Sequence, residues 1–297
     1  MSCYALFDIG GTAVKYGAAD EAGRFLAKGI SDNPAQAKGT PAMLTLLENL
    51  LRDMKSEYPL RGIGVSTAGV VDAERGEIVY ASENIPGYTG TRLGPFMEKS
   101  GGMPCTVEND VNCAGLGEAW LGAGKGMNPL VAVTLGTGVG GCVITDGKLI
   151  HGAMNFAGEV GYLPIEGGTL EEMASVSALV RRVAKEKDLA EAAVDGKKVF
   201  TWAKQGDVVS VNAIDAMLRA LAQGIWMITC VVNPSMFVIG GGIAAQKEYL
   251  QPRLVRKLSD IMLPRVFDTM KISFANLGND AGMLGALHCI LSRERVQ

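Results

Sequence analysis

Histidine is scarce in this chain: its 297 residues hold two, His151 and His288. A serine–histidine or cysteine–histidine catalytic pair is therefore poorly supplied, and any general base is expected to be a carboxylate. The six cysteines, at positions 3, 105, 113, 142, 230 and 289, show no CxxC or other paired spacing. That speaks against a disulfide framework and a structural zinc site, and fits reduced thiols in the cytoplasm. The net charge of −3 recommends neither a nucleic acid nor an anionic membrane as partner. Long apolar runs are missing too. Asp8 interrupts the first, which argues against a signal peptide, and 224–240 is broken by Asn233-Pro234 and too short to span a bilayer. No Gly-Lys-Ser/Thr opens a helix, so the glycine loops are not of the Walker type.

Apolar residues make up 48% of the chain, enough for a buried core, and the length suggests two domains. Three apolar runs end in glycines. Leu6 to Ile9 enters Gly10-Gly11-Thr12, with Asp8 just before the turn and Lys15 just after it. Leu130 to Leu135 enters Gly136-Thr137-Gly138-Val139-Gly140-Gly141, and Met236 to Ile239 enters Gly240-Gly241-Gly242. A turn this tight leaves backbone N–H groups free to face an anion. Asp8 sits where a carboxylate could hold a hydrated Mg²⁺ beside that anion. Each junction alone reads as an ordinary turn; three suggest backbone approaching one large ligand from several sides.

The strand and helix signals alternate. Strands are expected at the first hairpin, 25–30, 62–66, 78–80 and 105–108, with 33–39 and 67–72 as loops. Thr40 reads as an N-cap with Pro41 at the first helical position, and the apolar spacing from Met43 to Met54 predicts a helix to about residue 58. Helices follow at 93–99 and 111–121. A second pass begins at Val131, with strands at 131–135, 141–145, 148–151, 236–239 and 271–275. Its helices are expected at 170–187, 199–205, 212–232 and 247–263, and 280–294 closes the chain. Two comparable α/β halves imply a cleft between them, a usual place for ligands.

Two groups of acids could do chemistry. Asp110, after Glu108-Asn109, could accept a hydroxyl proton; on the residues alone it reads first as the N-cap of the next helix. Glu159 sits in a glycine frame, with Glu171 and Glu172 beyond it, where they could accept sugar hydroxyls or simply favour a helix start. His151, at a hairpin end, reads as structural.

Together these residues resemble the ROK sugar kinases, of the sugar kinase/Hsp70/actin fold. The resemblance runs nearly the whole length. It rests on Asp8-Ile9-Gly10-Gly11-Thr12, Glu108-Asn109-Asp110-Val111-Asn112-Cys113-Ala114, Leu135 to Gly141, Ala157-Gly158-Glu159-Val160-Gly161, and Gly240-Gly241-Gly242. It implies an α/β chain of two RNase H-like domains around a central cleft, at 1–115 joined by the helix 284–297 and at 116–283, and a cytoplasmic homodimer. It implies ATP with Mg²⁺, Asp8 holding the metal through water. Gly10, Gly11, Thr12, Lys15, Gly136, Thr137, Gly138 and Gly140 would surround the phosphates, and Gly241 and Gly242 the adenosine. Asp110 matches the catalytic base. Gly69, Asn84, Asn109, Asp110, Glu159 and Glu171 match the sugar's ligands, with Tyr162 beside them.

The chain departs from the family pattern where Tyr162 replaces a histidine. Ile165-Glu166-Gly167-Gly168-Thr169-Leu170-Glu171 stands in place of a cysteine-rich zinc element. This resembles a zinc-free branch that includes N-acetylmannosamine and β-glucoside kinases. Residues 66–91, with Thr169-Leu170-Glu171 and Ser177-Ala178-Leu179, look closer to the former. The expected activity is transfer of the γ-phosphoryl group of ATP to a sugar 6-hydroxyl, N-acetylmannosamine foremost and glucose or a β-glucoside as alternatives. A sugar-responsive repressor of the same family would carry a helix-turn-helix ahead of the first glycine loop, which here begins by residue 8.

Overall fold

The apolar run Cys3–Ile9 (β1) turns through Gly10–Thr12 into Ala13–Asp20 (β2), with Asp8 opposite Lys15 in an antiparallel register. In this computed structural model, which describes residues 2–296, the chain falls into two units. The first runs to Trp120 and takes in His151–Phe156 and the segment from Asn279. The second comprises Leu121–Ile150 and Ala157–Gly278.

In the first unit β2 continues to Phe25–Asp32 (β3), and β1 pairs in parallel with Leu60–Thr67 (β4). Val70–Asp72 (β5) and Glu77–Tyr80 (β6) form a small hairpin, so 67–72 is not all loop. Cys105–Asn109 (β7) completes the main sheet in the order β3-β2-β1-β4-β7. The helices are Ala35–Lys38 (α1), Thr40–Glu57 (α2), Leu93–Gly101 (α3) and Asp110–Trp120 (α4). The turn α1 lies inside 33–39, read as loop. Gly39, not Thr40, caps α2; the Thr40 hydroxyl donates instead to the Pro86 carbonyl at 2.8 Å. Met43, Leu47, Leu51 and Met54 recur at helical spacing and bury against Phe7, Ile9 and Val65.

The second unit repeats the plan. Leu130–Leu135 (β8) and Val139–Thr145 (β9) form the hairpin, Lys148–Leu149 (β10) adds a short edge, and β8 is followed in parallel by Met236–Gly240 (β13) and Lys271–Phe274 (β14). The order β10-β9-β8-β13-β14 reproduces the first sheet strand for strand, two RNase H-like sheets in one chain. Pro164–Ile165 (β11) and Gly168–Thr169 (β12) form a separate small ribbon.

The helices of this unit are Leu170–Ala174 (α5), Val176–Glu186 (α6), Gly196–Lys204 (α7), Val208–Val232 (α8), Lys247–Ile261 (α9) and Pro264–Phe267 (α10). The single helix expected over 170–187 is broken at Ser175, whose side chain caps α6 by accepting from Ala178 N–H. The 25-residue α8 is longer than the apolar stretch suggested, and is long and apolar enough to cross a membrane by length and composition. Here it forms core: Ile214, Met217, Leu218, Leu221, Ile225 and Ile228 are buried at helical spacing.

The last helix, Ala281–Val296 (α11), belongs to the first unit. Met283, Leu287, Ile290 and Leu291 pack on Tyr4, Leu6 and Ala19, the face of the sheet opposite α2. Small residues bring α11 against α4: a Cβ on Gly117 would meet the Ala281 carbonyl at 2.5 Å.

Candidate active site

The site residues of the first unit gather at the ends of β1, β4 and β7. At the first glycine loop Gly10 N–H donates to the Ala13 carbonyl at 2.9 Å. Buried Asn33 clamps the same turn. Its amide donates to the Gly10 carbonyl at 2.8 Å, and its own N–H donates to the Thr12 carbonyl. Lys15 Nζ lies 2.8 Å from Asp8 Oδ2, and the Ser66 hydroxyl donates to Asp8 Oδ1 at 2.7 Å. A pair on one oxygen and a hydroxyl on the other fix the carboxylate while lone pairs remain for a metal-bound water. Asn84 is the nearest side chain to Gly11, 3.4 Å from where a Cβ would stand. Asn33 and Ser66 went unread because a loop asparagine and a strand serine have no distinctive pattern.

At the start of α4 the cap is Asn109. Its Oδ1 accepts from Val111 N–H at 2.9 Å and Asn112 N–H at 3.0 Å. Its amide donates to the Gly69 carbonyl at 2.9 Å and to Asp110 Oδ1 at 3.1 Å. The cap expected at Asp110 thus sits on its neighbour, and Asp110 stands in the first turn of α4, half-buried, with Oδ1 also accepting from Val111 N–H. Before it, Glu108 is buried. Its Oε1 accepts from Asn109 N–H and from the Asn112 amide, both at 2.8 Å, and its Oε2 lies 2.7 Å from His151 Nε2. That contact joins residues 43 positions apart, and neither carries a spacing signal. The bond to Glu108 raises the His151 pKa above its ordinary value; burial opposes, and the charges of Glu108 and Glu74 add to the rise.

The second unit brings Glu159 and Glu171 to the second glycine loop. Gly136 N–H donates to the Gly138 carbonyl at 3.0 Å, and Thr137 at the tip is exposed. The break at Ser175 has a purpose here: it frees Val176 N–H to donate to the Gly136 carbonyl at 2.9 Å. From the other end of α5, Glu171 Oε2 accepts from Val139 N–H at 3.0 Å. A Cβ at position 138 would displace that carboxylate. Gly140 follows in β9, opposite Thr134. Burial first, and then the Glu171 charge, raise the Glu159 pKa above the usual carboxylate range. Tyr162 ends a single 3₁₀ turn, Val160–Tyr162, and is 66% exposed.

The third junction lies beside the second. Gly241, at φ +82°, sits against the Leu135 carbonyl so closely that no Cβ would fit, and Gly242 faces open space. Gly136 likewise has no heavy atom within 4 Å of a Cβ position. These open backbone faces suit a polyphosphate and its nucleoside. Where a zinc element would stand, β11 and β12 lead into Thr169, which forms a reciprocal capping box with Glu172 and so fixes the helix that carries Glu171. Among the described residues no three of His, Cys, Asp and Glu come together as a metal site.

Residues 4–293 match the ROK family. The chain belongs to that family, among its carbohydrate kinases. It is 32% identical to a glucokinase of Halalkalibacterium halodurans over 98% of this chain and 96% of the relative. The structure of Lmo2764 of Listeria monocytogenes, provisionally described as an N-acetylmannosamine kinase, superposes with a TM-score of 0.88 at 28% identity, covering 98% of this chain and 99% of that one. A ROK glucokinase of Streptomyces griseus, solved with glucose and AMPPNP, gives a TM-score of 0.80 at 28% identity over 97% and 98% of the two chains.

Proposed function

We propose that this protein phosphorylates the 6-hydroxyl of N-acetylmannosamine with Mg·ATP, and that Asp110 is its catalytic base. The observation that carries the reading is the division of roles at the start of α4. Asn109 accepts the N–H groups of both Val111 and Asn112, and Asp110 shares only that of Val111, so the helix start does not depend on a carboxylate at position 110. Asn109 also steers that carboxylate through its amide.

Bound Mg·ATP would supply the phosphoryl group and the charge that neutralises its oxygens. Gly10, Gly11 and Thr12 of the first unit and Gly136, Thr137, Gly138 and Gly140 of the second would hold the phosphates through backbone N–H groups. Gly241 and Gly242 would hold the nucleoside. Asp8, fixed by Lys15 and Ser66, would hold the metal's water. Asp110 would orient the 6-hydroxyl and accept its proton as the phosphoryl group transfers. Asn109, Gly69 and Asn84, with Glu159 and Glu171, would fix the remaining hydroxyls. Most of the rate enhancement would come from this positioning.

The choice of sugar rests on the segments 66–91 and 169–179, the lack of Cys or His between Tyr162 and Glu171, and the likeness to Lmo2764. Tyr162 offers an aromatic face and one hydroxyl, able to accommodate a 2-acetamido group. We further infer a cytoplasmic homodimer with no nucleic-acid or membrane partner and no zinc, as the family resemblance and the cysteine pattern suggest.

A kinase assay over N-acetylmannosamine, glucose, N-acetylglucosamine, mannose, fructose and cellobiose tests the substrate. Efficiency on N-acetylmannosamine should exceed that on glucose by at least about tenfold, about 1.4 kcal/mol of discrimination. Equal or better efficiency on glucose would make the protein a glucokinase, like its Halalkalibacterium relative. Preference for cellobiose would make it a β-glucoside kinase.

A further inference from the structure

We propose that His151 is a positioning residue for phosphoryl transfer, acting as an imidazolium that holds Glu108 and, through it, the turn that carries Asp110. The inference rests on the reading of Asp110 as the base, and adds a residue and a pH dependence to it.

The geometry forms a continuous relay. His151 Nε2 meets Glu108 Oε2 at 2.7 Å. The other oxygen of Glu108 accepts from Asn109 N–H and from the Asn112 amide. Asn109 then caps α4 and donates to Asp110 Oδ1. Glu108 is 3% exposed, and a carboxylate so buried requires a cation or full hydrogen bonding to remain charged. His151 is the cation beside it: among the described residues no Lys or Arg pairs with Glu108, whose oxygens are met by His151, Asn109 and Asn112. The His151 side chain is one-third exposed, so it can exchange its proton with solvent.

His151 also marks an unusual path. The chain leaves the second unit after Ile150, contributes His151–Phe156 to the first, and re-enters the second at Ala157, two residues before Glu159. The pair therefore anchors this excursion, within the first unit, at the turn that carries Asp110.

Two acids act on the ring, Glu108 from the end of β7 and Glu74 from the turn between β5 and β6, and both favour its charged form. The folded pKa of His151 lies above the ordinary value near 6.5, so the ion pair is complete below that pH and is lost as pH rises through the raised pKa. An imidazole that only filled space would give no such limb.

The test uses the full-length enzyme and its two histidines. Ring C–H NMR should resolve both, with His288→Gln assigning them, and His151 should titrate above about 6.5. kcat at saturating sugar and ATP should fall on an alkaline limb with the same midpoint, while the sugar KM stays within about threefold. His151→Gln, which can still donate a hydrogen bond, should lower kcat about tenfold near neutrality and abolish the limb. His151→Lys should restore kcat and carry it to higher pH. A midpoint at or below about 6.5, or a limb unchanged in His151→Gln, would overturn the proposal. Loss of turnover in Asp110→Asn beside an unaffected His151→Gln would overturn this inference alone. Full turnover in Asp110→Asn would instead remove the reading beneath it.

Discussion

Glu171 Oε2 accepts the N–H of Val139 at 3.0 Å, so the side chain matched to the sugar is bonded to the loop matched to phosphate. The same carboxylate fills the space beside Gly138. Sugar and nucleotide subsites that share a group in this way are expected to be coupled, because moving Glu171 moves the loop.

Gly138→Ala tests that coupling. Its new Cβ would displace the Glu171 carboxylate, and KM for sugar and for ATP should both rise, by about tenfold or more. Gly136→Ala is the control, since nothing in the protein lies within 4 Å of its Cβ; it should raise the ATP KM alone and leave the melting temperature unchanged. Steady-state kinetics with a thermal melt checks both. An effect of Gly138→Ala on ATP alone would show that the two subsites are independent.

Keeping Glu159 ionised costs stability at neutral pH. Burial and the neighbouring Glu171 charge raise its pKa, so the native state holds this proton more tightly than the unfolded chain does. Its contribution is therefore most favourable in acid and declines as pH rises from the unfolded value, about 4.3, through the folded one. Glu159→Gln should melt higher than the parent at pH 7.5 and lose the advantage near pH 4. The same variant should bind sugar poorly, having lost a charged acceptor. A lower melting temperature at pH 7.5 would contradict the assignment.

Metal analysis of the purified protein, after dialysis, should find far less than one zinc per chain. Residues 163–170 offer neither Cys nor His, and a capping box does the work of fixing Glu171's helix. Stoichiometric zinc would contradict this.

Much of this was legible in the sequence because the signals were local. Apolar runs ending in Gly10-Gly11 and Gly136-Thr137-Gly138 declared two hairpins, and the repeat of that pattern carried the repeat of the sheet. What escaped depends on partners far along the chain. Ser175 breaks a helix whose apolar spacing runs straight through it, and the reason is a carbonyl at Gly136. Thr40 looked like a cap until Pro86 offered its hydroxyl a better acceptor. The hairpin of β5 and β6 has too few residues for periodicity to register. Glu108 and His151 each look ordinary alone, and only the fold makes them a pair.

The most direct measurement is the turnover of Asp110→Asn with N-acetylmannosamine and Mg·ATP, beside sugar binding and a melt of the same variant. Asparagine suits a helix start as well as aspartate does, and Asn109 already supplies the cap, so the fold should be unchanged. The account predicts a kcat lower by about 10²–10⁴-fold with sugar affinity and melting temperature near those of the parent. Near-parental kcat in a folded variant would take Asp110 out of the chemistry and contradict the account.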